Sequence, residues 1–263
     1  MDVAKRGAVV IVTGASSGIG RALAMRLGLL GYRVGLIARR REALESAAAG
    51  ISGSGGQAVS AVADVSDRLQ LRSAVAEIER SLGPADVMVA NAGFGVPTQL
   101  DPLNTCEVEQ TIRVNLLGVI YSIEAVLPGM IARKRGHLLG ISSLGAFKGM
   151  PGESAYCASK AAVNAYMEGL RIALRSKGVV VTTVCPGFVD TPMTPMDSAR
   201  PFLMSADGAA SRIARLIATR RGGVVRFPLS MSLLMSLFAR LPDALVARLM
   251  RIESVPERAA AAE

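Results

Sequence analysis

The sequence predicts an α/β protein: a single doubly wound domain on a parallel sheet of about seven strands, followed by a helical C-terminal extension. Three observations predict it. Short apolar, β-branched runs alternate with longer segments of helical periodicity, the pattern of strands buried on both faces between helices. The turn after the first apolar run is glycine-rich, Thr13-Gly14-Ala15-Ser16-Ser17-Gly18-Ile19-Gly20. A length of 263 residues suits one large domain better than two.

The elements follow in order. Residues 8–12 form a buried strand, and a helical pattern covers 19–30 until Gly31 stops it. Residues 33–37 read as a second strand, 41–49 as a helix, 50–56 as a flexible glycine-rich loop and 57–62 as a third strand. A helix over 69–82 ends at Gly83-Pro84, and 86–89 is the fourth strand. One long helical stretch covers 106–131, the fifth strand covers 137–142, a second long helix covers 156–176, and the sixth strand covers 179–185. Right-handed crossovers between such strands give the doubly wound arrangement.

Composition narrows the function classes. Aromatic residues make up 4 % with no Trp, which disfavours stacking platforms for nucleic acid. The net charge of +9 is dispersed, with only the triplets Arg39-Arg40-Arg41 and Arg133-Lys134-Arg135 clustered, so nucleic acid is not expected as a partner. Cys106, Cys157 and Cys185 are odd in number and widely spaced, which indicates neither a disulfide framework nor a metal site and suits a reducing, cytoplasmic compartment. His137 is the single histidine and is read as structural. The stretch from Met1 to Gly7 is too short for a signal peptide before the first strand.

The glycine turn carries the first chemistry. Gly14, Gly18 and Gly20 permit a tight turn and close approach of backbone to a pyrophosphate, with the following helix N-terminus supplying N–H donors. Ser16, Ser17 and Ile19 belong to the same cradle. An NAD enzyme places Asp or Glu roughly 20 residues further on. Here Ala38-Arg39-Arg40 occupies that place, with Arg39 19 residues after Gly20. A guanidinium fork suits a phosphate. The cofactor is therefore read as NADP(H), with Arg39 the first contact and Arg40 the second; the competing reading is that both arginines only cap a strand.

The second chemistry lies in Tyr156-Cys157-Ala158-Ser159-Lys160. Four residues apart, Tyr156 and Lys160 share a helical face. A nearby ammonium favours the phenolate and so lowers the phenol pKa, making Tyr156 a competent general acid or base.

With these residues in place, the chain resembles the short-chain dehydrogenase/reductase family. The match runs through the loop 13–20, Asn91-Ala92-Gly93, Asn115 in Val114-Asn115-Leu116, Ser142-Ser143, Tyr156 with Lys160, and Pro186-Gly187-Phe188-Val189-Asp190-Thr191, covering about 8–195. The resemblance implies a Rossmann subunit. It implies that Tyr156 exchanges the proton with a substrate oxygen, that Lys160 tunes it and binds the nicotinamide ribose, and that Ser143, 13 positions before the tyrosine, binds the substrate oxygen. Asn115 would hold a relay water. Asp64 and Val65 would meet the adenine, Asn91, Ala92 and Gly93 would line the cleft, and Pro186, Gly187, Val189 and Thr191 would meet the nicotinamide. No metal is implied. Homo-oligomers built from the two long helices are common in such proteins. Two departures stand out: Ser17 replaces the basic residue of some NADP members, and Ala90 replaces an Asn common before Asn91.

Past the sixth strand, residues 194–205 read as a substrate flap, 206–220 as a helix and 224–227 as a short strand. From 228 to 263 runs an apolar extension. Its oily stretch 229–239 is too short to span a bilayer, and Pro242 breaks it. Leu241, Leu245 and Leu249 then recur every four residues. A helix packed over the substrate cleft or a subunit contact is one reading; a surface helix touching lipid is the other. Together the sequence indicates an NADP(H)-dependent oxidoreductase interconverting a carbonyl and a secondary alcohol, with an apolar small-molecule substrate. The alternatives are a non-catalytic NADP-binding sensor or scaffold and a membrane-surface adaptor.

Overall fold

The computed structural model describes residues 7–193 and 202–250. The sheet has seven strands in the order β3-β2-β1-β4-β5-β6-β9, every pair parallel. These are β1 (Val9–Thr13), β2 (Arg33–Ala38), β3 (Gln57–Val62), β4 (Val87–Ala90), β5 (Gly136–Ile141), β6 (Val179–Pro186) and β9 (Gly223–Phe227). A short parallel pair, β7 (Val189–Asp190) and β8 (Met204–Ser205), stands apart. Alternation along the strands divides the core. Val10, Val12, Val34, Leu36 and Leu139 face α1 (Gly18–Leu29), α2 (Arg41–Gly53) and α7 (Ala206–Ala218). Val9, Ile11, Met88 and Leu138 face α3 (Arg68–Leu82), α5 (Gly118–Ala132) and α6 (Ser154–Ala173). The chain leaves β1 toward β2 and β3, then returns to its other side with β4. That switch opens a crevice at the strands' C-terminal ends.

Three expectations change. Residues 50–53 are helical, not loop, because Ile51 is buried against the notch left by Gly28 of α1, where a Cβ would sit 2.5 Å from Ile51 Cγ2. The stretch 106–131 is not one uniform helix. It divides into α4 (Thr105–Ile112), a π turn (Arg113–Leu117) and α5. This run, Thr105–Ala132, is long and apolar enough to cross a membrane, yet it packs Val119, Ile123, Val126 and Met130 onto the sheet. Among the described residues the 241/245/249 stripe does not pack onto the domain as one face. In α9 (Asp243–Leu249) Leu245 and Leu249 are exposed, and Val246 turns inward. The helix is oriented by Lys148, whose Nζ donates to Leu241 O at 3.2 Å and to Asp243 Oδ1 at 2.8 Å. Of the flap, residues 194–201 lie outside the described residues; Met204–Ser205 is held in β8.

His137 is buried in β5, Nε2 lying 2.8 Å from Thr182 Oγ1, whose own hydroxyl donates to Arg221 O. Its Nδ1 has no hydrogen-bond partner among the described residues. Burial first, and the Arg220 charge second, push its pKa down from 6.5 to about 3. The folded value lies below the unfolded one. The neutral ring's contribution is therefore intact above about 6.5 and is lost as pH falls toward about 3, at about 1.4 kcal/mol per pH unit. Urea midpoints followed down this range should fall more steeply in the native chain than in His137→Gln. Parallel slopes would remove His137 as a source of acid lability.

Candidate active site

The glycine turn joins β1 to α1. Gly14 and Gly18 have φ of +69° and +52°, the left-handed region that favours glycine. A Cβ on Gly14 would lie 2.8 Å from Ala92 Cα, and one on Gly20 would lie 2.3 Å from Gly14 O. Bare backbone is thus required here for the turn to close on itself and on the β4 end. Thr13 and Asn91 fasten the two strand ends: Asn91 N and Ala92 N donate to Thr13 Oγ1 at 3.0 and 3.1 Å, and Asn91 Nδ2 donates to Thr13 O at 2.9 Å. The α1 N-terminus has no acidic residue in its first turn and no side-chain cap, which leaves its N–H groups and dipole for an anion.

Above this turn Arg40 donates through Nε and Nη2 to Ser16 Oγ, at 3.3 and 3.0 Å. Arg39 instead faces Asp64, Nη1 to Oδ2 at 3.7 Å, and Asp64 also accepts from Ser66 N and Oγ at 2.9 and 2.7 Å. The sequence ranks Arg39 ahead of Arg40, and in the structure it is Arg40 that reaches the glycine turn. The sequence places no acid at the β2 end, but folding brings Asp64 there from the end of β3. Asp67, not Asp64, caps α3, accepting from Leu69 N and Gln70 N.

At the other end of the crevice stand Ser143, Tyr156 and Lys160. Ser143 opens a short 3₁₀ turn (Leu144–Phe147), accepts from Gly145 N at 3.0 Å, and lines the cleft together with Tyr156. Lys160 is buried, donates to Ile141 O at 3.0 Å, and lies 5.7 Å from the Tyr156 ring centroid. Loss of water lowers its pKa from 10.5 to about 8. The phenol does not go down as the sequence suggests. Burial pushes the Tyr156 pKa above 10.0, and the neighbouring Ser143 hydroxyl opposes that rise. The ammonium is shared with a carbonyl and set over the ring, so desolvation outweighs it.

One cleft of about 700 Å³ runs between these ends. It is lined by Gly14, Ser16, Ser17, Gly18, Ile19, Arg39, Arg40, Asp64, Val65, Asn91, Ala92, Gly93, Ser143, Tyr156, Lys160, Pro186, Gly187, Val189 and Thr191. Thr191 closes on the turn, Cγ2 lying 3.0 Å from where a Gly18 Cβ would be. Two of the residues named from the sequence, Gly20 and Asn115, do not line the cleft itself. Gly20 is packed under Gly14. Asn115, fully buried in the π turn, is a fastener: Oδ1 accepts from Phe94 N at 2.7 Å, and Nδ2 donates to Phe94 O and Ser159 Oγ at 2.8 and 2.9 Å. The Ser159 hydroxyl in turn donates to Tyr156 O at 2.7 Å. This amide therefore ties the β4 loop to the helix of Tyr156 and Lys160.

Sequence reasoning missed Phe94, Gly95, Val96, Pro97, Met150, Glu153, Met231 and Met235, all of which line the cleft. Gly95 is bare for a reason only the fold shows, since a Cβ there would lie 3.2 Å from Tyr156 Cδ2. Met231 and Met235 gave no sequence signal. They come from α8 (Leu229–Phe238), far along the chain, where any apolar side chain fits the pattern.

A dinucleotide fits this cleft: a cradle without side chains at an uncapped helix N-terminus, guanidinium groups beside it, and a hydroxyl–phenol–ammonium set at the far end. A profile of the family described as short chain dehydrogenase matches residues 8–200. An uncharacterized oxidoreductase of Myxococcus xanthus is 38 % identical over 219 residues, 83 % of this chain and 86 % of that one. A 3-ketoacyl-ACP reductase from Sinorhizobium meliloti superposes with a TM-score of 0.79 at 34 % identity, covering 86 % of this chain and 99 % of that one. An actinorhodin polyketide ketoreductase with NADPH gives 0.77 at 29 % identity, covering 84 % and 95 %. With the family profile spanning most of its length, the chain belongs to the short-chain dehydrogenase/reductase family of oxidoreductases, whose cofactors are nicotinamide dinucleotides.

Proposed function

We propose that this protein is an NADP(H)-dependent oxidoreductase that interconverts an apolar carbonyl compound and its secondary alcohol. The observation that carries the reading is the meeting of Ser143, Tyr156 and buried Lys160 in one cleft, at the opposite end from Arg39 and Arg40. Bound NADPH supplies the hydride. The chain's own residues bind, orient and manage one proton. Ser143 and Tyr156 both offer hydroxyl donors to one substrate oxygen, where negative charge develops during reduction. Tyr156, neutral by its raised pKa, gives that oxygen a proton and becomes phenolate. Lys160, titrating near 8, faces that phenolate. In the oxidative direction the same groups take the proton back.

The substrate end is mostly apolar, with Glu153 the acidic residue in its lining. Phe94, Leu144, Met150, Phe188, Met231 and Met235 line it, and Leu144, Met231 and Met235 pack into one cluster. Methionine adapts to irregular apolar shapes. The names of the two solved reductases above, one of them with NADPH, support a carbonyl substrate.

The test is purified protein with NADPH or NADH and a panel of ketones, followed by nicotinamide absorbance. NADPH should be preferred. Arg40→Ala should raise KM for NADPH by about 10- to 100-fold, the loss of charge-assisted bonds to a phosphate, and leave KM for NADH unchanged. Arg39→Ala should have a smaller effect, since Asp64 already engages that group. Equal use of both dinucleotides by the native chain would reject the cofactor assignment.

A further inference from the structure

The outer side of the C-terminal extension is apolar and unpartnered among the described residues. Met231, Ser232 and Met235 form the buried face of α8, against Leu144 and Cys185. On its other side Leu229, Leu233 and Leu237 are 74 %, 67 % and 64 % exposed, and they recur every four residues as one stripe. Leu234 lies beside them, and Leu245 and Leu249 of α9 are exposed as well. A helix that is apolar all round is normally buried. Exposed leucines clustered this way mark an interaction surface.

The charges around this patch choose the occupant. Between residues 229 and 250 the ionisable side chains are Arg240, Asp243 and Arg248. Both arginines are exposed, and the aspartate is neutralised by Lys148 at 2.8 Å. The rim is therefore cationic, on a chain of net charge +9. A second copy docking by two-fold symmetry would set a cationic rim on a cationic rim, which is unfavourable. An anionic lipid surface matches both the leucines and the arginines. Ten residues of helix span about 15 Å, too little to cross a bilayer, so α8 would lie in the interface plane.

We propose that α8 and α9 form a peripheral membrane-docking face for anionic lipid, with Leu229, Leu233 and Leu237 inserted and Arg240 and Arg248 on the headgroups. Lys148 ties this face to the loop that follows Ser143, and the inner methionines of α8 line the substrate end of the cleft. Docking would thus hold the cleft beside the apolar phase.

Co-sedimentation of the full chain with vesicles of phosphatidylcholine, alone or mixed with phosphatidylglycerol, tests this. The native chain should bind the mixed vesicles, less so at high salt. Leu233→Glu with Leu237→Glu should lower the partition coefficient at least about tenfold. Arg240→Gln with Arg248→Gln should lower it about fivefold per charge and flatten the salt dependence. Circular dichroism and NADPH binding confirm that each variant is folded, and neither readout depends on turnover. Native protein that stays in the supernatant overturns the proposal, as does leucine-variant protein that sediments like native. So does size exclusion showing that these leucines hold a dimer that ignores vesicles.

Discussion

Tyr156→Phe is expected to lower kcat for carbonyl reduction by about a hundred- to ten-thousand-fold, with KM for the dinucleotide nearly unchanged. The substitution removes one oxygen and keeps the ring that packs under Gly95, so the cleft retains its shape. What is lost is the proton donor to the substrate oxygen, while Ser143 keeps its place in the cleft. Ser143→Ala should cost less, about a hundred- to a thousand-fold, since it removes one donor to the developing charge. The two losses should not add in full, because both hydroxyls serve the same oxygen. Single-turnover measurements with saturating NADPH give the cleanest reading. A phenylalanine variant retaining native turnover would remove Tyr156 from the chemistry, leaving the cleft a binding site.

The second large effect is a trade of activity against stability at Lys160. Lys160→Met should abolish most turnover, yet relieve the chain of a buried charge. Burial holds the folded pKa at about 8 against an ordinary 10.5, a penalty of about 3 kcal/mol at neutral pH before its bond to Ile141 O is counted. The sign follows from proton counts. Between about 8 and 10.5 the unfolded chain holds this proton and the folded chain does not, so stability rises with pH there, at about 1.4 kcal/mol per pH unit. The methionine variant should lack that rise. The native enzyme's reduction rate should also decline above about pH 8 as the ammonium beside the phenol is lost. Denaturant midpoints over this range decide the matter, and an identical alkaline slope in both proteins would refute a buried, shifted lysine.

The sheet was legible because its causes are local. β-branched runs bounded by glycine and polar turns gave strand positions that the structure matches to within a residue or two, and Gly14, Gly18 and Gly20 gave the crevice. Boundaries failed where contacts distant in sequence extend an element, as when Ile51 is seated against Gly28 and carries α2 past two glycines. The Arg39–Asp64 pair and the placement of Arg40 on Ser16 were illegible for the same reason. Each depends on how neighbouring strand ends align, and no spacing along the chain encodes that distance.

By itself, then, the sequence determined the parallel α/β architecture, the glycine cradle and the identity of the hydroxyl, phenol and ammonium groups, since these rest on periodicity and residue chemistry. Only the tertiary structure decided the rest. Burial reversed the expected shift of Tyr156, packing locked the Asn115 amide between the β4 loop and the helix of Tyr156, and folding laid Met231 and Met235 on the cleft while leaving the leucines of the same helix exposed. Desolvation and contact are properties of the surroundings, and the surroundings exist only once the chain has closed on itself.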